Sequence, residues 1–98
     1  MAITAFLDLH LRPDAIGRAS EVLASTLQQT RAFDGSLGLE VLRDVADPTH
    51  LTVVERWASL QHDDAYRAWR ATPDGASRLG EVFSAPPTLI RYETHSSH

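Results

Sequence analysis

The chain has 98 residues, 43% hydrophobic and 22% charged, the composition of one small globular domain. Cys, Lys and Asn are absent and all nine basic side chains are Arg, which excludes disulfides, thiolate nucleophiles, Cys-ligated metals, Schiff-base chemistry and a phosphate-loop lysine. A net charge of −4 argues against nucleic acid and anionic membrane as partners, and a first segment carrying Asp8 but no basic start does not read as a secretory leader, so a cytoplasmic location is expected.

Residues 3–12 (ITAFLDLHLR) alternate with period two, placing Ile3, Ala5, Leu7, Leu9 and Leu11 on one face and Phe6, Asp8, His10 and Arg12 on the other. That alternation predicts a strand. Pro13-Asp14 reads as a helix start, because Pro forfeits only an N–H that would be unpaired there and Asp suits the positive helix end. Ala15, Ala19, Val22, Leu23, Thr26 and Leu27 then recur at helical spacing through about Thr30. Asp34-Gly35 supplies the stop.

Residues 37–44 (LGLEVLRD) alternate again, with Leu37, Leu39 and Val41 on one face; Asp47-Pro48 marks a turn, and residues 50–57 (HLTVVERW) form a third strand. Ser59 can cap a helix over 60–71 whose stripe holds His62, Ala65, Tyr66 and Trp69. A second start at Thr72-Pro73-Asp74 leads to a short helix with Leu79, Val82 and Phe83 apolar, ended by Pro86-Pro87. Residues 88–93 (TLIRYE) make the fourth strand. Residues 1–94 read as a single domain, and 95–98 as a frayed polar tail.

The order strand, helix, strand, strand, helix, short helix, strand is that of two split β-α-β units. It predicts an α+β, ferredoxin-like, four-stranded antiparallel sheet with both helices on one face. The strands also carry apolar side chains on the uncovered face: Leu42, Val54 and Ile90 beside the inward Val41, Val53 and Leu89. An uncovered apolar face needs a partner, so a homodimer with its sheets packed face to face is expected.

The stretch TRAFDGSLGLEVLRDVADPTHLTVVERWAS, residues 30–59, resembles the antibiotic biosynthesis monooxygenase-like family of dimeric α+β barrels, and AYRAWRATPDG, residues 65–75, is similar to that family's Ala-x-x-Ala-His-x-x-Thr-Pro-His-Phe segment. The resemblance implies cofactor-independent oxygenation of a small aromatic quinol or anthrone-like polyketide by O2, in a pocket between sheet and helices. The alternative is a dimeric module that binds a small aromatic without turnover. Trp57 matches the family's pocket tryptophan, whereas Trp69 and Asp74 stand where many members have His. The family's haem-degrading branch uses an Asn on the first strand and a helix His, neither of which this sequence supplies.

Candidate catalytic residues are His62, His10 and Glu55. Imidazole exchanges protons near neutral pH, so His62 or His10 could take a phenolic proton; otherwise they are a solvated helix-start histidine and an interface residue. Glu55 shares a strand face with Val53 and Trp57, where it is a desolvated carboxylate or the partner of an Arg such as Arg31 or Arg91. Candidate substrate-binding residues are Trp57, Trp69, Tyr66, Phe6 and Arg31, the last to stabilise a substrate anion. Trp57 and Trp69 otherwise read as core. No metal site, flavin site or nucleotide fingerprint is expected, since His50, His95 and His98 read as loop and tail residues.

Overall fold

The computed structural model describes residues 1–98. Strand β1 spans Ile3–His10, helix α1 Ile16–Ala32, β2 Ser36–Arg43, β3 His50–Trp57, helix α2 Leu60–Arg70 and β4 Thr88–Glu93. The sheet order is β2-β3-β1-β4, with every pair antiparallel. This is the expected ferredoxin-like α+β fold. No helix is long and apolar enough to cross a membrane.

Sequence boundaries and structure differ mainly where glycine or proline acts. Pro13–Ala15 forms a 3-10 turn before α1 rather than its first α-helical turn, with Arg12 clasping Asp14 across it at 3.1 Å. The expected short helix after Thr72 shrinks to a 3-10 turn at Leu79–Val82. Its two apolar ends, Leu79 and Val82, are nonetheless buried, so the apolar spacing held while the α-helical hydrogen bonding did not. Ser59 caps α2 as expected, its Oγ accepting from the His62 N–H at 3.2 Å.

Alternation decides which side chains meet the helices. Ile3, Ala5 and Leu9 of β1, and Leu51, Val53, Glu55 and Trp57 of β3, are buried on the inner face. One core cluster joins Leu9, Leu51 and Val53 to Ala19, Val22 and Leu23 of α1 and to Leu79 and Val82. A second gathers Ile3, Ala5, Trp57 and Tyr66, flanked by Phe33 and Trp69. On the outer face no element of the chain covers Phe6, Leu42, Ile90 and Tyr92, which are 41–49% exposed around the buried Val54. Phe6 and Tyr92 meet there edge to face, with ring centroids 5.3 Å apart.

Candidate functional site

A cavity of about 170 Å³ lies between the inner sheet face and the helices, at the seam of the two core clusters. Leu7, Leu27, Val53, Leu79 and Phe83 give it apolar walls, and Glu55, Tyr66 and Arg70 bring polar groups to it. A larger groove of about 390 Å³ between α1 and residues 76–78 is lined mostly by polar and charged side chains such as Arg18, Glu21 and Arg78. Apolar walls with a few converging polar groups are what a small aromatic needs, so the inner cavity is the candidate site.

Glu55 is only 2% exposed. Its Oε1 accepts from the Trp57 indole N–H at 3.1 Å and from Arg67 Nη2 at 2.5 Å. Both bonds fall on one oxygen, which leaves Oε2 for a ligand. Arg67, reaching in from α2, also pairs through Nε with the fully buried Asp63 at 3.0 Å, without hydrogen-bond alignment. Arg91 of β4 lies 3.4 Å from the other Asp63 oxygen and 2.6 Å from Asp64. A chain of alternating charge therefore runs from the cavity to the surface. The expected ion pair of Glu55 exists, with Arg67 in place of Arg31 or Arg91.

Tyr66 has a settled proton arrangement. Arg70 Nε donates to its hydroxyl at 2.7 Å, and the Thr30 hydroxyl donates to the Thr26 carbonyl at 3.1 Å. The 2.6 Å contact between Tyr66 and Thr30 must therefore be donated by the tyrosine. Arg70 spends its other N–H groups on Gln29, Gly75, Thr26 and Thr30. Tyr66 thus offers the cavity a ring face and no free O–H. Sequence reading missed Arg70 and Thr30; the signal was their spacing, four residues after Tyr66 and four after Thr26 in the two helical stripes.

The other candidates are placed elsewhere. Trp57 is fully buried, and it packs on Tyr66 and Phe33 rather than lining the cavity. Trp69 lies against Phe33 under the Arg70 guanidinium, 4.8 Å from its ring centroid. His62 sits outside the cavity at the start of α2, with Nδ1 2.7 Å from Ser59 Oγ and its ring against Gly35. Arg31 is exposed on α1 beside Leu39 and Val41. Phe6 and His10 lie on the outer sheet face, because even-numbered residues of β1 point away from the helices. Of the eight candidates, only Glu55 and Tyr66 reach the cavity.

At the far end of the outer face, His50 lies between two carboxylates. Its Nδ1 is 2.9 Å from Asp44 and its Nε2 is 2.7 Å from Asp8. Asp44 and then Asp8 hold the imidazolium above its ordinary pKa of 6.5, and His50 in turn lowers both aspartates.

Fold and cavity together define a small ferredoxin-like α+β protein with an apolar cavity between sheet and helices. The family model of antibiotic biosynthesis monooxygenases matches residues 2–75, and the chain belongs to that family. No curated protein matches it in sequence. Among solved structures, Rv0793 from Mycobacterium tuberculosis superposes with a TM-score of 0.80 at 20% identity, over 99% of this chain and 98% of that one. A conserved protein from Methanosarcina mazei Go1 gives 0.80 at 18% identity, over 94% and 91%. A variant of SnoaB, a cofactor-independent oxygenase from Streptomyces nogalater, gives 0.79 at 16% identity, over 98% and 95%. These likenesses establish the shared fold.

Proposed function

We propose that the protein is a cofactor-independent monooxygenase that oxidises a small, electron-rich phenol or quinol to a quinone. The observation that carries this reading is Glu55: a buried carboxylate in an apolar cavity, with one oxygen anchored by Trp57 and Arg67 and the other free. Family membership and the likeness to SnoaB support it. The cavity volume of about 170 Å³ favours one aromatic ring over a tricyclic anthrone, since a cavity of about 150 Å³ already accepts benzene.

Glu55 Oε2 is the base in this reading, ahead of His62 and His10, which do not reach the cavity. It takes the phenolic proton, and the resulting anion gives one electron to O2. Superoxide and the substrate radical combine at a ring carbon, and the proton held by Glu55 returns to the resulting peroxide anion to give a hydroperoxide. Loss of that carbon's hydrogen, with cleavage of the O–O bond, releases water and leaves the quinone carbonyl. One O2 therefore supplies one oxygen to product and one to water, with no external reductant. The apolar walls of Leu7, Leu27, Val53, Leu79 and Phe83 limit the water around the radical pair.

Oxygen uptake by chelator-treated protein, with a panel of single-ring phenols and quinols, tests the reading. Glu55→Gln is expected to lower turnover about 100-fold, while His62→Ala and His10→Ala stay within about threefold. Quenching of tryptophan emission without oxygen uptake across the panel would establish the non-catalytic binding module instead, because Trp57 reports directly on Glu55.

We also infer a homodimer through the outer sheet face. Its support is the exposure of Phe6, Leu42, Ile90 and Tyr92 around a buried Val54. Sedimentation velocity is expected to show a dimer that Phe6→Arg dissociates; a monomeric wild type at micromolar concentration would overturn it.

A further inference from the structure

β1 and β3 pair with His10 opposite His50 and Asp8 opposite Thr52. All four side chains therefore rise from the outer face of the sheet. The two imidazole rings are stacked, with centroids 4.9 Å apart and planes within 6°. Donor atoms of Asp8, His10 and His50 all lie within 4.8 Å of one another. His50 Nε2 is 2.7 Å from one Asp8 oxygen, and His10 Nε2 is 3.6 Å from the other. Two nitrogens on a tetrahedral ion at about 2.0–2.1 Å stand about 3.4 Å apart. The donors are close enough to share one ion once the two imidazoles turn out of their parallel stack, so that both ring planes meet at the metal.

The surroundings of the triad orient it. Asp44 accepts from His50 Nδ1 at 2.9 Å. A carboxylate on the far ring nitrogen is the recurring support of a metal-bound histidine, because it fixes the tautomer that leaves Nε2 as the ligand. Asp44 is itself held by the Ala46 N–H at 2.8 Å and by its own N–H on the His50 carbonyl at 3.0 Å. The Thr52 hydroxyl donates to Asp8 at 2.9 Å, and the His10 carbonyl is anchored by the Ser84 N–H at 2.8 Å.

We propose that Asp8, His10 and His50 bind one divalent transition-metal ion of the zinc class, with Asp44 orienting His50. Two imidazoles and a carboxylate select zinc, cobalt or nickel over calcium or magnesium, which prefer all-oxygen sites. Water completes the coordination sphere. Bound metal replaces the proton shared by His50 and Asp8, and it fastens β1 to β3 beside the 44–49 turn. The site lies on the opposite sheet face from the cavity, so it does not rest on the oxygenase reading.

The test uses untagged, chelator-stripped protein whose tail carries His95→Ala and His98→Ala, so that the tail histidines cannot bind the probe. Cobalt(II) titration near pH 8 is expected to give one ion per chain, with a visible d–d band, and equimolar zinc to displace it. His10→Gln and His50→Gln are each expected to weaken binding at least tenfold, and Asp44→Asn by 10- to 100-fold. In the parent protein, proton NMR of the cobalt form should show a paramagnetically shifted, exchangeable imidazole N–H from His50, a readout that needs no variant to fold. Absence of saturable cobalt binding, loss of it with the tail histidines, or binding indifferent to His10→Gln and His50→Gln overturns the proposal.

Discussion

Arg67 of α2 reaches across the sheet–helix seam to Glu55 of β3, its Nη2 2.5 Å from the same oxygen that the Trp57 indole holds. The two partners are buried unequally: the Glu55 side chain is 2% exposed and that of Arg67 is 24% exposed. Their removal is therefore not symmetrical. Glu55→Gln keeps an acceptor for Trp57, and it leaves Arg67 with Asp63 and some solvent. Arg67→Met strands the Glu55 carboxylate and leaves the buried Asp63 with Arg91 alone. Breaking a fully buried pair costs about 3–5 kcal/mol; the partial exposure of Arg67 reduces that to about 2–3 kcal/mol. Urea unfolding should show Arg67→Met as the more destabilised variant, while Glu55→Gln should suffer the larger loss of oxygenation. Equal stability losses would mean that the Glu55–Arg67 contact contributes no more to folding than the Glu55–Trp57 bond.

Tyr66→Phe separates the tyrosine ring from its hydroxyl. The ring still walls the cavity and packs on Trp57, but Thr30 Oγ1 and Arg70 Nε each lose a partner. A loss of about 1–2 kcal/mol in stability is expected, with turnover changed less than about threefold. If turnover instead falls as far as in Glu55→Gln, the hydroxyl has a chemical role that its hydrogen bonding does not suggest.

The architecture was legible in the sequence because the two periodicities were clean. Leu7, Leu9 and Leu11, and Val53, Glu55 and Trp57, alternate without interruption, and Val22, Leu23 and Thr26 keep helical spacing. The site was less legible, for a physical reason. A strand pattern says which side of the sheet a residue takes, but not what stands opposite. Trp57 takes the inner face as read, yet neighbouring Phe33 and Tyr66 pack it away from the cavity. The strand pattern leaves Glu55 as a desolvated carboxylate or an arginine's partner, and choosing Arg67 among the arginines requires the position of α2 over β3. The His10–His50 stack depends on register across strands forty residues apart, which no local motif records.

Gly35 marks the close approach between the α1–β2 turn and the start of α2. Its φ is +86°, and a Cβ there would stand 2.2 Å from the His62 ring. Gly35→Ala therefore incurs two separable penalties, left-handed backbone and steric overlap. The single variant is expected to lose more than about 2 kcal/mol. Adding His62→Ala should recover the steric share while leaving about 1 kcal/mol of backbone cost. A double-mutant cycle in urea measures the coupling, and independent, additive losses would show that the ring moves aside freely.

His50 gives the metal-free protein a distinctive pH profile. Its pKa is raised above 6.5 by Asp44 and Asp8, so its contribution to stability is complete below about 6.5 and is lost as pH rises through the folded-state value. Asp8 and Asp44 are lowered from 3.8, chiefly by His50, so their contribution is present above about 3.8 and is lost as pH falls through their folded values. Stability in chelator should therefore be greatest between about pH 4 and 6.5, with an alkaline decline that belongs to His50. The stacked ring of His10 and the carboxylates of Asp8 and Asp44 face His50 from β1 and from the end of β2, so the decline tracks a charged cluster and weakens in high salt. Thermal melts from pH 5 to 9 in chelator are expected to show the decline in wild type and to lose most of it in His50→Gln. An unchanged slope in that variant would assign the alkaline decline to other groups. Repeating the wild-type series with saturating zinc separates proton from metal: if Asp8, His10 and His50 hold the ion, the decline disappears, because the charge on the cluster then no longer depends on the His50 proton.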